Sequence, residues 1–277
     1  MIPAAVGFQC PECVSDGHRT TRTARTVYGG RVRPGESPGT VTRVLIAINV
    51  VVFIVTAASG ANVVTGGTGK STIYDRFALI PVAVAHGEWY RLITAAFLHF
   101  GIFHIGFNMY ALWLVGPQLE AVLGRLRFVT LYALAGIGGG ILSVALGPFD
   151  ERAAGASGAI FGLFAALYVV ARHMKLNTGP IAATIGINLV LTFTISNIDW
   201  RGHVGGLVVG AALAAVFAFA PRGPSRERIQ AVGVVVVAAV LAVGGFLAAR
   251  HTYNKCPDAQ IRNGVPTGFC FTPGPGT

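Results

Sequence analysis

Charged residues are scarce in this chain. Asp, Glu, Lys and Arg make up 12% of its 277 residues, whereas hydrophobic residues make up 53%. A soluble domain has about 25% charged residues, so this deficit and several long apolar runs exclude an ordinary soluble protein. Glycine is abundant, with 37 residues, as expected where transmembrane helices pack closely. The composition predicts an all-α polytopic membrane protein.

Acidic residues are scarcer than basic ones, with 11 Asp and Glu against 21 Lys and Arg, which gives a net charge of +10. A basic surplus can indicate a nucleic-acid partner. Here the basic residues stand at the ends of apolar runs, where the positive-inside rule places them. We therefore expect contact with the lipid bilayer and no nucleic-acid partner. The N-terminal segment has no basic stretch followed by an apolar core, so the first span would act as an uncleaved targeting signal.

Only four cysteines are present. Cys10 and Cys13 have the spacing of half a structural zinc site, but His18 is the only nearby third ligand and such a site needs four. We therefore expect no bound metal and no other cofactor. The alternatives are a remnant of a longer zinc module or a start site assigned too far downstream. Cys256 and Cys270 fall in the predicted outer tail, where a disulfide persists, with a free pair as the alternative.

Seven apolar runs predict seven membrane spans. They cover residues 43–59, 104–123, 128–146, 157–171, 180–195, 203–220 and 229–249. The chain then divides into a flexible basic cytoplasmic arm (1–42), a six-helix core (43–220), a linker with a seventh helix (221–250) and an outer tail (251–277). Charged residues interrupt the half-apolar segment 60–103, so we expect an interfacial or partly inserted loop there.

Basic residues also predict the orientation. The arm and the start of the first span contain Arg19, Arg22, Arg25, Arg31, Arg33 and Arg43. The short loops on the same side of the predicted topology contain Arg125 and Arg127, then Arg172 and Lys175, then Arg222, Arg226 and Arg228. Because cytoplasmic loops are enriched in basic residues, we expect the N-terminus inside a bacterial plasma membrane. After seven spans the C-terminus would lie outside.

Ser157 stands at the head of an apolar run that is too short to cross a bilayer. About 15 residues separate it from the basic cluster at Arg172, His173 and Lys175, or roughly 22 Å of helix against a hydrocarbon core of ~30 Å. If this cluster marks one membrane surface, the hydroxyl lies several ångströms below the other. A polar group there is costly unless it lines a cavity, so Ser157 is a candidate functional residue. The alternative is a hydroxyl bonded back to its own helix.

His203 stands at the head of another apolar run, at a depth that matches Ser157 in the predicted topology. It shares one helical face with Gly206 and Gly210, and Gly158 follows Ser157 directly. Small residues at such positions let two helix backbones approach closely. A serine and a histidine on separate helices need that close approach to reach hydrogen-bond distance.

These two residues predict nucleophilic catalysis. A serine hydroxyl is a poor nucleophile until a base takes its proton, and a neutral histidine can take that proton near pH 7 and later return it to a leaving amine. Asp199 is the only acidic residue near either position in sequence. We interpret it as a loop residue, so we expect a dyad of Ser157 and His203 rather than a triad.

A third polar group consists of His99, His104 and Asn108. His104 and Asn108 are i, i+4 neighbours on the second predicted span. Both can donate hydrogen bonds toward a developing oxyanion, together with the backbone N–H of Ser157. A metal site is the rival interpretation. No carboxylate or third histidine stands at helical spacing, so we favour an oxyanion hole and expect no metal.

Together these elements resemble the signature motifs of the rhomboid family of intramembrane serine proteases. The motifs are His104-x-x-x-Asn108, Gly155-Ala156-Ser157-Gly158 and His203-x-x-Gly206-x-x-x-Gly210. They occur in the family's order, on the second, fourth and sixth predicted spans, and the resemblance covers about residues 40–220. It implies a six-helix rhomboid-like core, to which this chain adds a seventh C-terminal transmembrane helix.

The resemblance also implies roles for single residues. Ser157 would be the nucleophile, His203 the general base, and His104 and Asn108 the side chains of the oxyanion hole. His99 matches the histidine that precedes the second span in the family. Phe161 departs from the family, which often has tyrosine one turn after the nucleophile, although an aromatic ring there can still pack against the base. In the first loop, Tyr90 of Trp89-Tyr90-Arg91 takes the place of a frequent tryptophan.

We therefore expect an intramembrane serine endopeptidase whose partners are transmembrane protein substrates. A catalytically inactive rhomboid-like protein that binds membrane clients is the alternative, although Ser157 and His203 are both present. A transporter or channel would need ionisable residues along a path through the bilayer, whereas here the polar groups cluster near one side. The sequence carries no signal for an oligomeric state.

Overall fold

The computed structural model describes residues 2–3, 7–20, 24–30, 37–64, 71–195 and 198–267. These residues are mainly helical, with one short antiparallel hairpin near each end of the chain. The helices are α1 (Pro11–Thr20), α2 (Thr40–Ala58), α3 (Thr72–Phe77), α4 (Pro81–Ala85), α5 (Arg91–Thr94), α6 (Ile102–Leu123), α7 (Arg125–Leu146), α8 (Ser157–His173), α9 (Gly179–Thr194), α10 (Trp200–Phe219) and α11 (Arg226–Lys255). The strands are β1 (Ile2–Pro3), β2 (Phe8–Gln9), β3 (Gln260–Arg262) and β4 (Val265–Thr267). Arg22, Arg31, Arg33 and Cys270 lie outside the described residues.

Each of the seven predicted spans contains one long helix. In the described part of the chain, four helices (α2, α7, α10 and α11) are long and apolar enough to cross a bilayer. α6 meets the same requirement together with the segment Arg91–Phe97, from which its axis turns by 94°. α8 and α9 are shorter apolar helices. These helices confirm an all-α polytopic membrane protein, whereas the count of seven spans stays a prediction.

α8 is a short helix with polar residues at both of its ends. Its 17 residues give ~26 Å of helix, less than the ~30 Å of a hydrocarbon core. Arg172 and His173 form the last turn, and Lys175 then adopts a left-handed backbone conformation with φ of 59°. At the other end, Ser157 is the first helical residue. Its hydroxyl therefore lies at one end of a helix that is shorter than the hydrocarbon core of a typical bilayer.

α7, α8 and α10 form the centre of the bundle and pack through glycines. A Cβ added to Gly206 on α10 would overlap the carbonyl oxygen of Gly158 on α8. A Cβ added to Gly139 on α7 would stand 2.5 Å from the carbonyl oxygen of Gly202 on α10. Glycine is required at these positions because the backbones themselves are in contact. The three helices are thereby held at the distance that the site needs.

The segment predicted to be an interfacial loop contains the short helices α3, α4 and α5, which pack on the end of the bundle near Ser157. Arg91 is fully buried at its centre. The guanidinium donates to Glu88 at 2.6 Å, to the carbonyl oxygen of Ala78 at 2.6 Å and to that of Gly264 at 3.1 Å. The last of these bonds joins this segment to the β3–β4 turn, so the C-terminal hairpin packs on the same end of the bundle.

The cysteines differ in their environments. Cys256 is buried and forms a disulfide bond, and its carbonyl oxygen lies 2.9 Å from Nε2 of His86 on the neighbouring segment. Cys10 and Cys13 are exposed and free. Within the described ranges, no group of three or more His, Cys, Asp or Glu side chains is arranged to hold a metal ion.

The opposite end of the bundle is held by a buried carboxylate. Glu120, at the end of α6, accepts hydrogen bonds from the backbone N–H groups of Val41 and Thr42 at 3.1 and 3.0 Å. It thereby satisfies N–H groups that have no partner within α2. Residues 24–30 also pack here, with Tyr28 buried. Burial of Tyr28 holds this stretch against the bundle, while the extent of the flexible arm that we predict for residues 1–42 stays a prediction.

Candidate active site

Ser157 is the first residue of α8 and follows a left-handed glycine by two positions. Gly155 has φ of +134°, a conformation that side chains other than glycine rarely adopt. A Cβ added there would stand 2.7 Å from Nε2 of His104 and 3.6 Å from Oγ of Ser157. The imidazole of His104 and the hydroxyl of Ser157 therefore both lie close to the position that a side chain at residue 155 would occupy. As a first-turn residue, Ser157 also has a backbone N–H without a partner within the helix.

His203 lies on α10 and is 8% exposed. Its ring stacks on that of Phe161, with centroids 4.1 Å apart and planes 14° from parallel. Phe161 is one turn after Ser157 on α8, so the stacked ring places His203 beside the helix that carries the serine. Among the described residues, no hydrogen bond joins Oγ of Ser157 to His203. Catalytic hydrogen bonds are often long before substrate binds.

The acidic residue nearest to His203 in sequence has a different contact. One carboxylate oxygen of Asp199 accepts from the backbone N–H of Arg201 at 3.1 Å, which caps α10. The other accepts from the hydroxyl of Ser143 on α7. One oxygen therefore caps α10, and the other joins α10 to α7.

His104 and Asn108 lie on one face of α6, and Asn108 is buried. Its amide donates to the carbonyl oxygen of His104 at 2.9 Å, which uses one of its two N–H groups. His99 is fully buried, and its ring centroid lies 5.0 Å from that of His104. Neither ring nitrogen of His99 has a hydrogen-bond partner in the described part of the chain. The rings of His99 and His104 thus lie side by side, and Asn108 follows His104 by one turn of α6.

The backbone of His99 is held from α3. The hydroxyl of Tyr74 donates to the carbonyl oxygen of His99. Burial raises the pKa of Tyr74 to about 12, so this phenol stays protonated and keeps its donor at any physiological pH. The interfacial segment therefore positions the histidine cluster as well as covering this end of the bundle.

Thr192 on α9 is a site residue that the sequence patterns do not single out. Its Oγ1 lies 2.7 Å from Nδ1 of His203 and 2.7 Å from the carbonyl oxygen of Asn188 one turn earlier. It is buried on a helix whose other residues are mostly exposed. The only sequence signal is a hydroxyl in an apolar run, and Thr184 and Thr194 give the same signal on the same helix.

The site therefore combines five side chains from four helices: Ser157 and Phe161 from α8, His203 from α10, Thr192 from α9 and His104 from α6. Gly155, Gly158 and Gly206 permit the close approach, and Gly210 continues the contact with α8 at Gly162. A hydroxyl at a helix N-terminus, a nearby imidazole and further N–H donors are the groups that acyl transfer requires.

Comparison with known proteins gives a consistent family assignment. The family model of the Rhomboid domain matches residues 86–219, which include Ser157, His203, His104 and Asn108. The rhomboid protease GluP of Bacillus subtilis (strain 168) is 39% identical over 228 residues, which are 80% of this chain and 43% of GluP. The chain thus spans less than half the length of that relative.

Two further relatives are shorter matches. YdcA, a rhomboid relative from the same Bacillus subtilis strain, is 39% identical over 137 residues, which cover 48% of this chain and 69% of YdcA. The rhomboid-type serine protease 2 of Emericella nidulans is 32% identical over 152 residues, or 52% of this chain and 30% of that protein. With the motifs, the helices and these matches in agreement, the chain belongs to the rhomboid family.

Proposed function

We propose that this protein is an intramembrane serine endopeptidase that hydrolyses peptide bonds in or near transmembrane segments of other membrane proteins. The observation that carries the proposal is the position of His203, which stacks on Phe161 one turn after Ser157. Ser157 is the nucleophile and His203 is the general base. The relatives named as rhomboid proteases support the same activity.

In the first half of the reaction, Oγ of Ser157 bonds to the carbonyl carbon of the peptide while its proton passes to His203. The C–N bond then breaks, the leaving amine takes that proton, and an acyl ester remains on Ser157. In the second half, water attacks the ester and gives a proton to His203. Ser157 regains its proton as the new carboxyl product leaves.

The negative charge that develops on the carbonyl oxygen is stabilised by N–H donors. The backbone N–H of Ser157 points out of the first turn of α8, where the helix dipole also favours negative charge. His104 and the second N–H of Asn108 are the proposed side-chain donors. The loss of one such donor typically costs about 3–4 kcal/mol of transition-state stabilisation.

The substrates follow from the depth of the site. Ser157 heads a helix that is shorter than the apolar layer, so a peptide bond that reaches it belongs to a membrane-inserted segment. Hydrolysis needs water, which lipid excludes, so the site opens outward through a wet pocket. The substrate helix must partly unwind there, which favours substrates with small or helix-weakening residues near the cut.

The proposed orientation places the N-terminus in the cytoplasm and the C-terminus outside a bacterial plasma membrane. Its support is the basic loops at the end of the bundle opposite to Ser157. The disulfide of Cys256, at the end near Ser157, is consistent with an oxidising outer side. We propose Cys270, the one cysteine outside the described residues, as its partner.

The test uses purified protein in lipid vesicles with a synthetic transmembrane substrate. Ser157→Ala and His203→Ala are expected to lower kcat by at least about a thousandfold. Ser157→Ala should also lose covalent labelling by a fluorophosphonate. Ser225→Ala and His251→Ala are matched controls, because both side chains are exposed and lie outside the cluster.

Two results would contradict the proposal. Undiminished cleavage by Ser157→Ala would remove Ser157 as the nucleophile. A wild-type protein that binds transmembrane segments, cleaves none of them and takes up no fluorophosphonate would instead be an inactive client-binding protein.

A further inference from the structure

We infer that Thr192 is a positioning residue for the base, which it holds in the one tautomer that can take a proton from Ser157. The inference rests on the proposed function and adds a third, neutral member to the dyad. Thr192 does not touch the substrate. It acts through Nδ1 of His203, which lies 2.7 Å from its hydroxyl oxygen.

The tautomer follows from counting protons at this hydroxyl. Oγ1 of Thr192 lies 2.7 Å from the carbonyl oxygen of Asn188. A carbonyl only accepts hydrogen bonds, so the hydroxyl proton must lie between these two oxygens, because two oxygens this close repel each other without it. The hydroxyl has no second proton for the imidazole. The contact with His203 is therefore a bond in which Nδ1–H donates and Thr192 accepts.

This assignment leaves Nε2 of His203 without a proton. Which ring nitrogen of a histidine carries the proton is determined by the hydrogen bond that the other makes. With Nδ1–H bonded to Thr192, Nε2 has a free lone pair and can act as the base. In the other tautomer Nε2 would already carry a proton and could not accept one from a serine, and the free lone pair would be on Nδ1, which faces Thr192.

Phe161 and Thr192 restrain different motions of the same ring. Stacking on Phe161, at 4.1 Å between centroids, determines the plane of the imidazole. A half-turn of the ring about its bond to Cβ keeps that plane but exchanges Nδ1 with Cδ2 and Nε2 with Cε1. Only the hydrogen bond at Nδ1 distinguishes these two positions. The hydrogen bond to Thr192 therefore selects one of two ring orientations that stacking on Phe161 allows equally.

In many serine hydrolases an acidic residue orients the catalytic histidine. Here the residue that contacts Nδ1 of His203 is Thr192. Asp199, the acid nearest in sequence, has its oxygens bonded to Arg201 and Ser143. A threonine hydroxyl that is itself bonded to a helix carbonyl is an acceptor without charge. It can orient an imidazole in an apolar layer without the cost of burying a carboxylate there.

The experiment compares two substitutions at Thr192 with one matched control. Thr192→Val keeps the shape and removes the hydroxyl, whereas Thr192→Ser keeps the hydroxyl. Thr194→Val is the control, because Thr194 is on the same helix, is exposed and donates in the same way to the carbonyl oxygen of Val190 at 2.9 Å. Like Thr192, it bonds back to its own helix, but in the described part of the chain its hydroxyl has no hydrogen bond to His203.

We expect Thr192→Val to lower kcat about tenfold or more while KM changes less than about twofold, as the loss of one orienting hydrogen bond would do. Thr192→Ser should restore most of the rate, and Thr194→Val should equal the wild type. Equal kcat for the Val variants at 192 and 194 would overturn the inference. So would a Thr192→Ser protein that is as slow as Thr192→Val.

A spectroscopic measurement keeps the inference testable if Thr192→Val does not fold. In wild-type protein labelled with ¹⁵N-histidine, the His203 signals, assigned by comparison with His203→Gln, should show a protonated Nδ1 and an unprotonated Nε2 at neutral pH. A protonated Nε2 would overturn the inference. The activity of Ser157→Ala separates the two claims: if that variant cleaves normally the proposed function fails, whatever Thr192 does.

Discussion

Gly210 on α10 and Gly162 on α8 are in backbone contact. A Cβ added to Gly210 would overlap the α-carbon and the carbonyl oxygen of Gly162. Backbone atoms cannot rotate away as a flexible side chain can, so even one methyl group must push the two helices apart. Because Ser157 and His203 lie on these same helices, the spacing of the pair depends on glycine two turns away from the histidine.

The first prediction is that Gly210→Ala destabilises the bundle by about 1–3 kcal/mol, the usual cost of forcing extra atoms into a packed core. Thermal unfolding in detergent micelles measures the loss, and cleavage activity should fall with it. Gly186→Ala on α9 is the matched control, because a Cβ there meets nothing within 4 Å. If both variants unfold at the wild-type temperature, backbone contact between α8 and α10 does not limit stability.

A second prediction concerns Gly155, where conformation and space act together. Gly155→Ala should lower kcat by about a hundredfold or more, because its Cβ would displace the imidazole of His104, a proposed oxyanion donor. The control is Gly87→Ala. Gly87 also has a left-handed backbone, with φ of +105°, but has open space around it.

An alanine at either position adopts a left-handed backbone conformation, which costs a similar free energy of about 1–2 kcal/mol. Only the one at position 155 collides with the site. Steady-state cleavage of a synthetic transmembrane substrate measures the difference. Similar kcat values for the two variants would mean that His104 tolerates the displacement and is not an oxyanion donor.

The third prediction uses the cysteines to determine the orientation. Cys10 and Cys13 are exposed and free, so both should react with a membrane-impermeant maleimide from whichever side they face. In intact cells that express Cys256→Ala/Cys270→Ala, we expect no labelling until the membrane is permeabilised. In cells that express Cys10→Ala/Cys13→Ala, we expect labelling from outside only after a reductant opens the disulfide of Cys256. Labelling of Cys10 and Cys13 in intact cells would reverse the proposed topology.

Much of this molecule can be predicted from local patterns in the chain. Each apolar run became a helix, because a segment of that composition can satisfy its backbone groups in lipid only by helix formation. The short spacing from Ser157 to Arg172 predicted a short apolar helix, and α8 has 17 residues. That it does not cross the apolar layer stays a prediction. The rhomboid family and the all-α polytopic class, both predicted from motifs and composition, are confirmed. The roles of Ser157 and His203 stay predictions.

Contacts between helices decided the rest. A hydroxyl in an apolar helix usually bonds back to its own carbonyl, and Thr184, Thr192 and Thr194 all do so. Their sequence patterns are therefore equivalent, and only the packing of α9 against α10 brings one of them to His203. Contacts between elements, and not the local sequence pattern, likewise determine the 94° bend before α6 and the burial of Tyr28 against the bundle. Helical periodicity records which residues share a face of one helix, but it contains no information about the partner that this face meets.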